Sequence, residues 1–253
     1  MKIIKSTLTL LAFIATAHAS IVVSDSDFYL DASGQNPMGT DRTISDFSVA
    51  AGEKLVVTTT MEGGDISGIT FGGISLNSVY NTANGVQRIT TYYLDVTTAT
   101  TDDVVVSYVA ETAGTMGFAA ISISGAAAGG PADFSSSATQ NAGLIDIETG
   151  SLVIGTFTVN SAGSITPTVP PVTDPLTPSI EIYDQEYIGN GGTSGNVTYF
   201  TSPTDGTYNY GFSGGNTRPA AGAVVFNAIP EPSTFLLLGL AALTLVEANR
   251  RRK

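Results

Sequence analysis

Two scarce residue types limit the chemistry open to this chain. It has no cysteine and one histidine, His18. Without cysteine there is no disulfide, no thiolate nucleophile and no zinc–thiolate centre. His18 falls in a stretch with the pattern of a removable leader, so the mature chain has no imidazole for a Ser-His-Asp triad or a His-ligated metal. Acid–base work is left to carboxylates, tyrosines and Lys54. Two carboxylates are enough for a glycosidase, but no pair stands out here. Asp25, Asp27 and Asp31 offer hard oxygen donors, and a structural Ca²⁺ is the one ion they suggest; no other cofactor is expected. The spacing of Asp25 and Asp27 begins like an EF-hand loop, yet no glycine occupies its sixth position and Asn36 replaces the glutamate of its twelfth. Tyr183, Tyr187, Tyr199, Tyr208 and Tyr210 either stack on sugar rings or pack across strands, and packing is the commoner fate of strand tyrosines.

The elements that must position these residues are strands. Segments 54–60, 86–95, 103–109 and 118–124 are short apolar runs bounded by turn formers. In the last, Ala119, Ile121 and Ile123 alternate with Ser122 and Ser124, the period of a half-buried strand. Gly63-Gly64, Gly72-Gly73, Gly191-Gly192, Asp205-Gly206 and Gly214-Gly215 punctuate the chain, and Asp102-Asp103 marks a turn before a strand. No amphipathic helix is expected outside the two ends. The expected fold class is all-β: an antiparallel β-sandwich or jelly roll, flanked by an N-terminal signal peptide and a short C-terminal hydrophobic helix.

An internal echo divides the body. Gly52-Glu53-Lys54-Leu55-Val56-Val57 is similar to Gly150-Ser151-Leu152-Val153-Ile154. Segment 103–108 followed by 119–123 is similar to 205–210 followed by 223–226. Two related halves, about 20–130 and 131–229, are expected to face each other in one jelly roll; two separate domains are the alternative. Pro167, Pro170, Pro171, Pro175 and Pro178 make 166–178 an extended connector or edge cover, because proline lacks the N–H a central strand donates.

Both ends carry addresses. Lys2 and Lys5, the apolar stretch 8–17 and Ala17-His18-Ala19 form a signal peptide, with cleavage by signal peptidase expected between Ala19 and Ser20. At the other end Pro230-Glu231-Pro232-Ser233-Thr234 leads into the apolar run 235–246 and then Arg250, Arg251, Arg252 and Lys253. Twelve helical residues span about 18 Å, short of the roughly twenty residues of a full membrane span. The basic cluster holds the C-terminus in the cytoplasm, and the two prolines keep the peptide around Glu231 extended. Between the ends, four bases (Arg42, Lys54, Arg88, Arg218) against twenty of the chain's 22 acids leave a net charge of −16, beyond the −12 of the whole. Nucleic acid is therefore not a partner, since its phosphates need Lys and Arg.

The C-terminal pattern resembles the PEP-CTERM protein-sorting signal. That resemblance implies an exported protein of a Gram-negative bacterium, handled by an exosortase-type processing enzyme in an exopolysaccharide or biofilm setting. It implies that Pro230, Glu231 and Pro232 are the recognition element, that 235–246 is a transient inner-membrane anchor, and that Arg250, Arg251, Arg252 and Lys253 are the stop-transfer cluster. Glu247 departs from the pattern, which is apolar or basic there. A looser resemblance covers the body: Ile69-Thr70-Phe71-Gly72-Gly73, Tyr92-Tyr93-Leu94 and Ala120-Ile121-Ser122-Ile123-Ser124-Gly125 are similar to secreted bacterial β-sandwich domains of surface proteins, which implies no catalytic residue. The expected function is non-enzymatic: a structural or adhesive protein of the cell surface or extracellular matrix, held among polysaccharides. The alternatives are a carbohydrate-binding module and a carboxylate-based glycoside hydrolase or lyase.

Overall fold

Valine, isoleucine, threonine and aromatic side chains fit a pleated surface, and glycine-rich turns let short strands reverse. The computed structural model describes residues 20–31, 41–109, 116–160, 165–168, 180–185, 194–214 and 217–229. Every regular element among them is a strand. The first half holds β1 (Val22–Asp31), β2 (Arg42–Val49), β3 (Lys54–Glu62), β4 (Ile66–Phe71), β5 (Ile74–Ser75), β6 (Asn77–Asn84), β7 (Gln87–Asp95), β8 (Thr100–Tyr108) and β9 (Met116–Ser124). The second holds β10 (Asp133–Ser137), β11 (Asn141–Ile147), β12 (Leu152–Val159), β13 (Thr166–Thr168), β14 (Ile180–Gln185), β15 (Ser194–Thr201), β16 (Gly206–Ser213) and β17 (Ala220–Phe226).

All pairings between these strands are antiparallel, and they wind twice in the same way. The first half makes a five-stranded sheet, β1-β9-β3-β7-β6, and a four-stranded sheet, β2-β8-β4-β5. The second makes β10-β17-β12-β15-β14 and β11-β16-β13. Replacing each strand by its counterpart turns one layout into the other, except that β5 has none. Apart from the hairpins β4–β5, β6–β7 and β14–β15, successive strands alternate between two sheets, a jelly-roll winding. The repeat reaches single turns: Gly52 and Gly150 both adopt φ 83°, a left-handed conformation that favours glycine. Gly52 donates its N–H to Val96 and Gly150 donates its own to Ser202, each at 2.8 Å. The two related strand sets thus do not face each other within one jelly roll; each closes its own pair of sheets.

Side-chain alternation then stacks four sheets around three cores. On β3, Leu55, Val57 and Met61 face the first outer sheet, while Val56 faces the second half. On β12, Leu152 and Ile154 face the first half, while Val153, Phe157 and Val159 face the second outer sheet. The two five-stranded sheets are therefore inner layers. This corrects the half-buried reading of 118–124: β9 is buried on both faces, because Met116, Phe118 and Ala120 fill the first core while Ala119, Ile121 and Ile123 fill the shared one. An alternating pattern reveals one covered face but not whether a further sheet covers the other.

A polar band crosses the middle of the shared core. The hydroxyls of Thr58 and Thr156 share a hydrogen bond of 2.5 Å, and Thr58 shares another of 2.9 Å with Thr91. Thr58 and Thr156 are counterparts in the repeat, four residues into β3 and β12. A residue meeting its own counterpart is the signature of a two-fold, self-complementary interface, here within one chain. Thr60 bonds the Tyr183 hydroxyl at 2.9 Å and Thr158 donates to Gln87 Oε1 at 2.9 Å, so the neighbouring pair of counterparts also reaches across. The Tyr80 hydroxyl lies within reach of the threonines but is not aligned for a hydrogen bond. Satisfied buried hydroxyls favour one register of the two halves over others.

Asp102 and Asp103 lie inside β8, not in a turn before it. Asp102 pairs with Phe47 beside a bulge in β2, and Asp103 Oδ1 accepts the N–H of Asp46, whose φ is 57°. Pro167 sits in β13, an edge strand, where its missing N–H costs no ladder bond; residues 169–179 lie outside the described ones.

Candidate functional site

The body begins and ends at one place, around Gly125. Ser20, the first residue after the expected cleavage point, is exposed, whereas Ile21 beside it is 3% exposed and enters the shared core. A Cβ on Gly125 would stand 3.1 Å from the Ser20 carbonyl oxygen. At the other end Ala228 forms a bridge with Ala126. Ala127 donates its N–H to Asn227 at 2.9 Å, and Ile229 donates its own to Gly125 at 2.8 Å. Ser151 Oγ donates to Asn227 Oδ1 at 2.8 Å. The seam joins the exit of the first half to the exit of the second, and among the described residues it reaches Ile229.

Ala19, the stretch 1–19, the residues Pro230, Glu231 and Pro232, the run 235–246 and the cluster Arg250–Lys253 lie outside the described residues. Among the described residues no helix is long and apolar enough to cross a membrane. The tyrosines are distributed rather than gathered. Tyr183 and Tyr199 pack on the shared core and Tyr208 and Tyr210 on the second outer one, with Tyr187 outside the described residues. The four described ones do not form one stacking face for a sugar. Asp25 and Asp27 lie on the exposed β1, each accepting the N–H of the next residue; the Asp31 side chain is outside the described set. Among the described residues no group of three Asp, Glu, His or Cys is arranged to hold a metal ion.

The most unusual chemical group is Lys54, the only lysine between residues 20 and 229 and 2% exposed. Its Nζ forms an ion pair with Asp95 Oδ1, directly opposite on β7, and donates to the Gly129 carbonyl at 2.6 Å. The N–H of Gly129 returns a 2.9 Å bond to Asp95 Oδ2. The rings of Tyr93 and Phe226 lie 5.1 and 5.7 Å from Nζ, within cation–π range. The site thus gathers β3, β7, the connector between the halves and β17. Beside it, burial pushes the Glu53 carboxyl up, but hydrogen bonds from Ser122, Ser24 and the Ala50 N–H outweigh that and hold it below its ordinary range. Sequence reasoning counted Lys54 among the few groups left for acid–base work; the structure places it buried and paired. Asp95 carried no signal, since only the β3–β7 register places it opposite.

No curated protein and no solved structure matches this chain. The seam residues Ala228 and Ile229 nonetheless open a recognised segment: residues 228–253 match the PEP-CTERM protein-sorting motif, so the chain carries an exosortase sorting signal and is an exported protein.

Proposed function

We propose that this is a non-enzymatic structural or adhesive protein of the cell surface and its extracellular polysaccharide in a Gram-negative bacterium. The observation that supports this reading is the use of the reactive and aromatic side chains. Lys54, Tyr183 and Tyr210 are all consumed in packing, leaving a strand-built, strongly acidic exterior. Signal peptidase removes 1–19. The apolar run 235–246 holds the inner membrane transiently, with Arg250, Arg251, Arg252 and Lys253 inside, while the exosortase reads Pro230, Glu231 and Pro232. The acidic body then joins the matrix, where divalent cations including Ca²⁺ bridge it to anionic polymer.

The test is fractionation of producing cells, with a deletion strain beside them. The protein is expected in surface or matrix material, and its loss is expected to reduce retained polysaccharide. Recovery wholly in the periplasm, with polysaccharide unchanged, contradicts the reading. The purified body is also applied to a glycan array with and without Ca²⁺. Selective capture of one defined glycan would replace the structural role by carbohydrate binding, and release of sugar products would replace it by hydrolase or lyase activity.

A further inference from the structure

We propose that Lys54 and Asp95 are joined by a covalent amide, a cross-link between β3 and β7 in the first half. The pair meets three requirements of such a bond. The amine and carboxyl are held in contact, directly opposite on adjacent strands, and fixed groups in contact reach effective concentrations of roughly 10⁵ M or more. The amine is shut away from water, 2% exposed and flanked by Tyr93 and Phe226, so no hydration shell has to be stripped before it attacks. The Asp95 side chain is 41% exposed, leaving a path for the departing water.

The step balances without any outside reagent. The Lys54 ammonium gives one proton to Asp95 Oδ1, and the neutral Nζ attacks Cγ. Negative charge develops on Oδ2, where the Gly129 N–H already donates at 2.9 Å, the arrangement of an oxyanion hole. Nζ loses a second proton to Oδ1, the Cγ–Oδ1 bond breaks, and Oδ1 leaves as water with both protons. Oδ2 becomes the amide carbonyl, still bonded to the Gly129 N–H. The one hydrogen left on Nζ keeps its acceptor, the Gly129 carbonyl at 2.6 Å. Every polar atom of the product thus already has its partner. The bond would give an exported chain without cysteine a covalent staple of another kind.

The experiment is a denaturing tryptic digest of the full-length protein as isolated, read by mass spectrometry. With the bond, trypsin fails to cut after Lys54, and the peptides beginning at Thr43 and Ile89 remain joined, lighter than their sum by one water. In Asp95→Ala, cleavage after Lys54 is complete and the peptides separate, whether or not that variant folds. Complete cleavage after Lys54 in the wild-type chain, with both peptides at full mass, overturns the proposal and leaves an ion pair. Cleavage after Lys54 reports on that amine alone and so does not depend on how the C-terminus is sorted. The peptide beginning at Ile89 runs into the C-terminal segment, because Arg218 precedes Pro219, and its mass is compared with that of the same peptide from Asp95→Ala.

Discussion

Tyr210 packs between Phe157 and Phe200, at ring centroid distances of 5.4 and 5.9 Å, and its hydroxyl shares a 3.1 Å hydrogen bond with Thr198. The strand position against its ring has to be a glycine, Gly155, since a Cβ there would stand 2.2 Å from the ring. Burial, opposed by the Thr198 bond, pushes the Tyr210 hydroxyl from its ordinary value near 10 up to about 12. Burial likewise pushes Tyr80 and Tyr183 up. A raised folded-state value means that above pH 10 the unfolded chain loses protons the folded chain keeps, so stability falls as pH rises. Tyr210 alone accounts for roughly 3 kcal/mol, present below pH 10 and lost toward pH 12. Denaturant melts at pH 8 and pH 11.5 should differ by at least that order, and Tyr210→Phe should shrink the difference. Equal stabilities at the two pH values would contradict the buried placement.

At the scale of elements, β1 is the last strand of its sheet among the described residues, where its outer edge has no partner strand. Such edges recruit further strands unless something blocks them, and charged side chains are a common block. Asp25 and Asp27 fill that role on β1, exposed and each accepting the N–H of the next residue. Replacing both by threonine should leave the melting temperature within a few degrees and produce concentration-dependent association by light scattering; a variant as monodisperse as the parent would remove the role. The individual strands were legible in the sequence because alternation and glycine pairs are local signals. The echo between 52–57 and 150–154 was legible too, since each copy must enter an inner strand through the same tight turn. The contacts between Lys54 and Asp95 and between Thr58 and Thr156 were not. They join residues 41 and 98 positions apart, and only sheet order and register bring them together. The burial of both faces of β9 escaped for the same reason, since it depends on which sheet lies above.

For the molecule as a whole, residues 20–229 form one compact unit, built from two similar halves that share a core. Neither half can leave the other without exposing Val56, Ile121, Ile154 and Val224, each 0% exposed, at a cost of about 1.5–3 kcal/mol for each such side chain. The halves should therefore melt together. Calorimetry should give one transition, and Gly155→Val in the second half should lower that transition without splitting it; two resolved transitions would mean that the shared core does not couple them. Export rests on the sorting motif matched over residues 228–253. The decisive measurement is the intact mass and C-terminal peptide of the native protein from producing cells, compared with Glu231→Ala. The wild-type protein should lack residues 233–253 and leave the membrane fraction, while the variant keeps them and remains there. A wild-type protein that retains 233–253, with the variant indistinguishable from it, would contradict the account.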